Sequence, residues 1–419
     1  MEKIIRRALL VGANLNDQKD FVSSMEELAN LAQACELEVV GEITQNLKRI
    51  HQATYIGSGK VEEIRLEMEA KEADLIIFND ELSPSQIRNL EMETECSVID
   101  RTILILDIFA RRAKTREAML QVEIAQLRYM MPRIIGLGAS LSRQQGGIGP
   151  GARGPGEKKL ELDRRRIESQ ISALDKELEH LLSSRQTQRK ARQKNALPTV
   201  ALVGYTNAGK STTMNAILDW VQADASKLVF EKNMLFATLG TSTRRVKLKD
   251  NKEFLLTDTV GFVSKLPHHL VKAFRSTLEE VLEADLLLHI VDLSHPDYES
   301  QLKVTHHVLE ELGADDIPTI CVYNKCDLNK LPPECVDSDH VLISAKKQLH
   351  IEGLLEMIKE KLFVDDVEKT FLIPYDRGSL VSFLNENAAI YSTDHLEAGT
   401  KIKASLSKKH LSRLQGLEI

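Results

Sequence analysis

The sequence predicts an α/β protein built around a P-loop nucleotide-binding domain. An N-terminal α/β domain bearing a long helical hairpin and a small α+β C-terminal domain complete the expected fold. Three observations predict it: aliphatic runs alternate with helical patterns near the N-terminus, two helical patterns flank a Gly-rich stretch, and an apolar run leads into GYTNAGKS at 204–211. The 419 residues exceed what one compact core usually holds, so several domains are expected.

Composition and cysteine usage indicate a soluble cytoplasmic chain. Hydrophobic residues make up 42% of the sequence, yet the most apolar stretch, TILILDIFA, is interrupted by Asp107. It is much shorter than the roughly 18 residues that span a bilayer. The N-terminal MEKIIRRALLVGAN is interpreted as a first β-strand, since no small-residue cleavage site follows it. The five cysteines show neither zinc spacings nor a disulfide pattern, which fits a reducing compartment.

Residues 1–101 are predicted to form the N-terminal α/β domain. The short runs ALLVGAN, LEVVGEI, DLIIFND and CSVID alternate there with helical patterns such as FVSSMEELANLAQA. Such alternation is typical of a small layer of helices on a partly parallel sheet.

Residues 102–195 are predicted to form a projecting helical hairpin, the arm. Two sets of apolar residues recur at helical spacing: Leu120, Ile124, Leu127 and Met131, then Leu160, Ile167, Ile171, Leu174, Leu178 and Leu181. A helix unbroken to Lys194 would extend about 55 Å at 1.5 Å per residue. The Gly-rich stretch 136–157 lies between the two patterns and is expected at the tip of the arm.

The arm is the basic part of an acidic chain. The stretch from Arg101 to Lys194 holds 20 Lys and Arg against 10 Asp and Glu, while the whole chain carries a net charge of −7. This asymmetry indicates a nucleic-acid or phosphate-rich partner, although a solvated helical surface is an open alternative. At the tip, Arg143 and Arg153 can pair with phosphates that glycine backbone amides approach closely.

Residues 196–364 contain a phosphate loop in the strand–loop–helix context that the motif requires. In GYTNAGKS, Lys210 is expected to reach the β and γ phosphate oxygens and Ser211 to ligate Mg²⁺. Backbone amides of the loop are expected to surround the phosphates. The predicted phosphate-binding residues are Gly204, Tyr205, Thr206, Asn207, Ala208, Gly209, Lys210 and Ser211.

Later motifs favour guanine over adenine and therefore predict a P-loop GTPase domain. Asp258, at the end of an apolar strand, is a second candidate for Mg²⁺, and the Gly261 amide can contact the γ-phosphate. In NKCD at 324–327, Asp327 can accept two hydrogen bonds from guanine, which adenine cannot offer there. The other predicted nucleotide-binding residues are Thr259, Val260, Asn324, Lys325, Cys326, Ser344, Ala345 and Lys346.

Residues 370–419 are predicted to form the small α+β domain. The pattern runs from FLIPY through the helical GSLVSFLNEN to AIYSTDHLEAGTKIKASLS, with Ala-Gly-Thr as a turn. No residue pattern in this domain indicates a chemical function.

The whole chain resembles the HflX family of ribosome-associated GTPases. The specific matches are RGPGEKKLELDRRRI at 153–167, LFATLG before TRR at 235–245, and GFVSKLPHHLVKAFRSTLEE at 261–280. The resemblance implies that Thr238 is the switch threonine that closes onto Mg²⁺ and the γ-phosphate, within a nucleotide-contacting stretch of Phe236, Ala237, Thr238, Leu239 and Gly240. Family members commonly have Asp-Pro after FATL, where this chain has Gly240 and Thr241, so Thr241 and Thr243 remain alternative switch threonines.

Phe262 occupies the place where many GTPases have a Gln that orients the attacking water. Hydrolysis by Lys210, Thr238 and Gly261 is therefore expected to be slow without help. Asn207 stands where similar GTPases bind K⁺ beside the phosphates, or else it only braces the loop.

The resemblance implies the large ribosomal subunit and its RNA as the partner of a monomeric protein that splits stalled ribosomes under stress. Two other functions remain open. The chain could act on another RNA, as in transfer-RNA maturation, or it could hold GTP or GDP without meaningful catalysis.

Overall fold

The computed structural model contains three β-sheets, each with its own helices. The structure describes residues 6–16, 18, 20–113, 115–144, 155–192, 197–221, 242–265, 281–328, 336–337, 339–407 and 411–419. The first two sheets consist mainly of parallel pairs and the third is antiparallel. This architecture confirms the predicted α/β class. No helix in this part of the chain is both long and apolar enough to cross a membrane.

The N-terminal domain is a parallel four-stranded sheet with helices on both faces. Its strands, in the order β2-β1-β3-β4, are β1 (Arg7–Leu15), β2 (Glu38–Leu47), β3 (Leu75–Phe78) and β4 (Ser97–Asp100). Its helices are α1 (Phe21–Ala34), α2 (Ser58–Ala70), α3 (Pro84–Thr94) and α4 (Arg101–Arg112). Leu10 of β1 packs with α1 and α4, whereas Leu9 and Val11 pack with α2 and α3. Because both faces of β1 and β3 are buried, these two strands are apolar at most positions, whereas the edge strand β2 carries polar and half-exposed residues.

The arm is an antiparallel pair of long helices. They are α5 (Arg116–Gln144) and α6 (Pro155–Arg192). Arg116 donates to Glu177 at 2.7 Å, and Gln170 donates to Glu123 at 3.2 Å. The later residue of α5 therefore pairs with the earlier residue of α6, which means that the two helices run in opposite directions. The 38 residues of α6 span about 57 Å. The residues that join the two helices, 145–154, lie outside the described part of the chain.

The first part of the helical pattern predicted for the arm belongs to the N-terminal core. Leu104, Ile105 and Ile108 of α4 pack in the same cluster as α1. The backbone leaves the helical conformation at Ala113, before α5 begins. The hairpin itself therefore starts at Arg116. The bounds of the four domains that were assigned from the sequence stay predictions.

The central domain is a seven-stranded sheet. Its strands are β5 (Thr199–Gly204), β6 (Ser242–Lys247), β7 (Glu253–Asp258), β8 (Leu286–Asp292), β9 (Thr319–Asn324), β10 (Val336–Asp337) and β11 (His340–Leu342). The order is β10-β11-β9-β8-β5-β7-β6, with antiparallel pairing only at β6 and β10. Helices α7 (Lys210–Trp220) and α9 (Ile351–Leu362) cover one face, and α8 (Tyr298–Leu312) covers the other. Because parallel strands end at one edge, the loops after β5, β7 and β9 lie together.

The C-terminal domain is a three-stranded antiparallel sheet with one helix. Its elements are β12 (Asp366–Ile373), α10 (Gly378–Asn387), β13 (Ala389–Leu396) and β14 (Gly399–Ser407). The strand order is β12-β14-β13. Leu384 of α10 packs on Phe371 and Ile402 of the sheet. The predicted small α+β domain is thereby confirmed.

Candidate nucleotide site

The loop between β5 and α7 forms a concave backbone at the carboxyl edge of the central sheet. It runs from Gly204, the last residue of β5, to Lys210, the first of α7. Gly209 has a φ of 98°, and a Cβ atom there would lie 2.2 Å from Asn324 Nδ2. Both the backbone conformation and the close approach therefore require glycine. The N-terminus of α7 opens onto this loop, so its dipole favours an anion there.

Lys210 is held beneath the loop. Its Nζ atom donates to the backbone oxygens of Gly204 at 3.0 Å and Tyr205 at 2.8 Å. Burial lowers the pKa of Lys210 to about 8, and the nearby Asp258 carboxylate partly opposes that shift. An ammonium carries three donors. One N–H therefore remains for an anion in the loop.

Ser211 and Asp258 form an all-oxygen pair beside Lys210. The Ser211 hydroxyl donates to Asp258 Oδ2 at 2.7 Å, and Asp258 is fully buried at the end of β7. Magnesium prefers oxygen ligands and usually keeps waters and substrate phosphates besides one or two protein groups. No cluster of three or more His, Cys, Asp or Glu side chains that could hold a metal occurs among the described residues. The pair therefore fits Mg²⁺ bound together with a nucleotide, rather than a metal held by protein alone.

The Asp-x-x-Gly segment, residues 258–261, is attached directly to the phosphate loop. The Thr206 N–H donates to the Phe262 carbonyl oxygen at 2.7 Å, and the Phe262 N–H donates to the Gly204 carbonyl oxygen at 3.1 Å. A Cβ atom on Gly261 would lie 2.8 Å from Lys210 Nζ and 2.9 Å from the Thr206 Cα atom. Only glycine permits this approach, which brings the Gly261 backbone next to the buried ammonium.

The Phe262 side chain is buried in the core of the central domain. It is 2% exposed and packs among Val203, Leu287 and Val281 in the core beneath α8. Burial of this ring stabilises the segment by roughly 1.5–3 kcal/mol. A phenyl ring has no group that could hydrogen-bond an attacking water.

Asn324 joins three of the loops at this edge. Its Nδ2 atom donates to the Ala208 carbonyl oxygen at 2.9 Å, and its Oδ1 atom accepts from the Ala345 N–H at 3.0 Å. The side chain is buried. It therefore fixes the NKCD motif and the Ser-Ala-Lys loop against the phosphate loop.

The Asp327 carboxylate lies at the outer end of this arrangement. The Ser344 hydroxyl and then Lys347, at 3.3 Å, stabilise its charge and lower its pKa. Lys325 pairs with Asp292 at 2.6 Å. A carboxylate kept charged at this position can accept two parallel N–H groups from a flat base. Cys326 and Lys346 lie beside it in the same two loops.

The predicted switch threonine lies outside the described residues. Phe236, Ala237, Thr238, Leu239 and Gly240 fall between 221 and 242, together with Thr241. Thr243 is described: it lies in β6, with its hydroxyl 3.1 Å from that of Thr257 in β7.

The structure also describes three further predicted residues, Thr259, Val260 and Asn207. Thr259 is buried and donates to the Leu202 carbonyl oxygen at 2.6 Å, which fixes the start of the Asp-x-x-Gly segment. Val260 packs in the core of the N-terminal domain. Asn207 has a φ of 61° and is exposed at the loop's outer turn.

Sequence reasoning missed two side chains next to the site, Glu27 and Arg101. Glu27 accepts a hydrogen bond from the Tyr205 hydroxyl in the phosphate loop, and Arg101 pairs with Glu27. Glu27 lies on an ordinary amphipathic helix, so nothing in its pattern singled it out. Arg101 carried a weak signal, because a cation at the first position of a helix opposes the dipole and needs a partner.

Models of three protein families match consecutive parts of the chain. A GTP-binding GTPase N-terminal family matches residues 22–110, a GTP-binding GTPase middle-region family matches 112–192, and a 50S ribosome-binding GTPase family matches 199–325. The GTPase HflX of Caldanaerobacter subterraneus subsp. tengcongensis is 46% identical over 422 residues, covering 100% of this chain and 96% of that protein. The chain belongs to the HflX family of GTPases.

Other members of the HflX family match over most of their length. The GTPase HflX of Alkalihalophilus pseudofirmus is 44% identical and covers 93% of this chain and 91% of its own. The Escherichia coli K12 member is 40% identical, and the match covers 92% of this chain and 89% of that protein. Among solved structures, a GTP-binding protein from Sulfolobus solfataricus in complex with GDP is 22% identical, with a TM-score of 0.46, and covers 85% of this chain and 99% of that one.

Proposed function

We propose that this GTPase binds the large ribosomal subunit and uses GTP-dependent switching to split or rescue stalled ribosomes under stress. The observation that carries the proposal is the buried Phe262 ring, which leaves the attacking water without a side chain to orient it. A GTPase of this kind needs a partner to complete its catalytic centre. The match to a 50S ribosome-binding GTPase family supports the ribosome as that partner.

Nucleotide binding in this proposal follows the loops described above. Residues 204–211 surround the phosphates, Lys210 contacts the β and γ oxygens, and the Gly261 amide contacts the γ-phosphate. Asp327 accepts from the guanine ring. The Ala345 N–H, which donates to Asn324 Oδ1 at 3.0 Å, would be shared with the guanine carbonyl oxygen in a three-centre hydrogen bond. The Ser211–Asp258 contact of 2.7 Å supports Mg²⁺ at this point, with Thr238 as a further ligand. When bound, Mg²⁺ neutralises charge that develops on the phosphates.

A potassium ion at Asn207 is a second element of the proposal. The exposed amide stands at the turn of the phosphate loop, where a monovalent cation would face the β and γ phosphates. Such a cation would supply charge that an arginine supplies in other GTPases. Turnover in KCl should then exceed turnover in NaCl, and Asn207→Ala should remove the difference.

The arm supplies the ribosome contact in this proposal. It combines a net charge of +10 over 101–194 with a hairpin whose longer helix spans about 57 Å. Contacts to RNA phosphates release counterions, so affinity should fall steeply as salt is raised. Replacing Arg143 and Arg153 at the tip by Ala should weaken ribosome binding and flatten this salt dependence. The four described cysteines are free, which is consistent with the proposed cytoplasmic monomer.

The deciding experiment measures GTP hydrolysis with and without purified large subunits. Turnover is expected to rise at least about tenfold with ribosomes, because partner-supplied groups accelerate GTPases by orders of magnitude. The Lys210→Ala variant serves as the inactive control. Sedimentation of 70S ribosomes with a non-hydrolysable GTP analogue, compared with GDP, then tests splitting. An unchanged turnover with ribosomes would contradict the proposal.

A further inference from the structure

The N-terminal domain contributes side chains to the edge of the nucleotide site. Glu27 of α1 accepts hydrogen bonds from the Tyr205 hydroxyl in the phosphate loop and from the Ser264 hydroxyl just after the Asp-x-x-Gly segment. The Ser264 N–H also donates to the Tyr205 oxygen at 2.5 Å. The Glu27 carboxylate thus joins the phosphate loop of the central domain to the residues that follow its Asp-x-x-Gly segment.

Arg101 holds this carboxylate in place from below. Its Nη2 atom contacts Glu27 and donates to the Ser264 hydroxyl at 2.9 Å, while Nη1 donates to Asn79 Oδ1 at 2.9 Å and to the Ser24 carbonyl oxygen at 3.3 Å. The Arg101 and Glu27 side chains are only 2% and 11% exposed. Hydrogen bonds between charged groups at such low exposure are strong, and removing one partner leaves the other charge unpaired.

The same stretch of chain contacts the N-terminal domain at three further points. Val260 and Val263 are buried in the N-terminal core, with 7% and 1% exposure. Lys265 pairs with Asp80, which follows β3, at 2.5 Å. The segment 260–265 therefore contacts the N-terminal domain on both sides of Gly261 and Phe262, through apolar contacts at Val260 and Val263 and an ion pair at Lys265.

This docking determines where Gly261 lies. Val260 and Val263, which flank Gly261 and Phe262, pack in the N-terminal core, while Phe262 is hydrogen-bonded to the phosphate loop. Gly261 is so close to Lys210 Nζ that a Cβ atom would come within 2.8 Å. The distance between the Gly261 amide and the Lys210 ammonium thus depends on a contact between two domains. These two groups meet a γ-phosphate, whereas a diphosphate meets only the lysine.

We infer that Glu27 and Arg101 are positioning residues for the GTPase site, which hold the Gly261 amide at the γ-phosphate position and so favour GTP over GDP. The inference rests on the proposed contact between Gly261 and the γ-phosphate. It does not depend on a ribosome. Because coupling is reciprocal, a bound γ-phosphate in turn stabilises the docking of the two domains.

The test compares nucleotide affinities of the wild-type chain and Glu27→Gln. The amide cannot accept from three donors as the carboxylate does, so affinity for a non-hydrolysable GTP analogue is expected to fall about tenfold. Affinity for GDP should stay within about twofold, because the diphosphate does not touch Gly261. The matched control is Glu26→Gln, which removes the same charge from the exposed neighbouring position and should change neither affinity.

An equal loss of affinity for GDP and for the GTP analogue would overturn the inference, since it would indicate a general loss of structure. Unchanged or tighter binding of the analogue would overturn it as well. If Glu27→Gln does not fold, Ser264→Ala is the second variant, because it removes two of the same hydrogen bonds. It should likewise lower the affinity for the GTP analogue more than the affinity for GDP. The assay contains no ribosomes, so its outcome is separate from that of the proposed ribosomal function.

Discussion

Individual side chains at the nucleotide site each join two or more loops. Asn324 bonds both the phosphate loop at Ala208 and the amide of Ala345, so its loss would loosen three motifs together. Asp327 differs, because the partners that hold it charged, Ser344 and Lys347, both belong to the loop after β11. It is therefore the residue through which base specificity can be changed without disturbing the loops.

Asp327→Asn should exchange guanine for xanthine specificity. The wild-type carboxylate accepts two N–H groups from guanine, whereas an amide donates one hydrogen and suits the extra carbonyl oxygen of xanthine. Affinity for GTP is expected to fall about a hundredfold, the equivalent of two hydrogen bonds to a charged group. Titration with fluorescent GTP and XTP derivatives measures both changes. A variant that loses affinity for both nucleotides alike would contradict the assignment.

His289 should make the GTPase domain sensitive to acid. It lies buried in β8, and burial, with smaller effects of His306 and Lys210, lowers its pKa to about 4. Since the unfolded pKa is near 6.5, the unfolded chain takes up the proton first, and stability is lost as pH falls from 6.5 toward 4. Between pH 7.5 and 5.5 this group should cost about 1 kcal/mol of unfolding free energy.

The effect of His289 is measured as a difference between variants. Urea unfolding followed by the fluorescence of Trp220, the single tryptophan, reports on the GTPase domain. His289→Leu should be less sensitive to acid than wild type by about 1 kcal/mol. His307→Gln, at a 67% exposed side chain of α8, is the control and should retain the wild-type loss. Equal acid sensitivity in the wild type and His289→Leu would refute the role of burial.

At the level of elements, motifs that end apolar strands could be predicted from sequence because their spacing is imposed by chemistry. GYTNAGKS, Asp258 and NKCD all follow strands of one sheet, and the structure brings them to one edge. The break at Ala113 could not be predicted, because α4 and α5 have the same helical periodicity and only packing on the N-terminal sheet separates them. Glu27 was missed for a similar reason: its role arises from contacts with another domain.

At the level of the Asp-x-x-Gly segment, Gly261→Ala is predicted to weaken the binding of GTP analogues. The new methyl group would lie 2.9 Å from the backbone of Thr206, so the segment must move off the phosphate loop. Affinity for a GTP analogue should fall by at least about tenfold, while GDP affinity changes little, because only the γ-phosphate meets this amide. Gly353→Ala, with open space around its Cβ position, is the matched control. Stopped-flow binding with both nucleotides measures the difference, and equal losses would contradict it.

At the scale of the whole molecule, two adjacent residues connect the arm to the GTPase domain. Asp100 ends β4 and accepts from the Tyr129 hydroxyl at 2.6 Å and from Arg133 at 3.0 Å, both on α5 of the arm. Arg101 begins α4 and contacts Glu27 and Ser264. A shift of the arm would therefore reach the junction that holds the Asp-x-x-Gly segment, which under the proposed function would connect ribosome binding by the arm to hydrolysis.

Tyr129→Phe tests this route, because it removes the hydroxyl that bonds Asp100 while keeping the ring on which Arg133 stacks at 4.4 Å. Ribosome binding should be unchanged, since the basic surface of the arm is intact, and turnover without ribosomes should also be unchanged. Ribosome-stimulated turnover should fall about fivefold, corresponding to the loss of one buried hydrogen bond. Arg128→Gln breaks an exposed contact to Asp175 one residue away and should leave stimulation intact. If Tyr129→Phe and Arg128→Gln are stimulated equally, the arm does not act through Asp100.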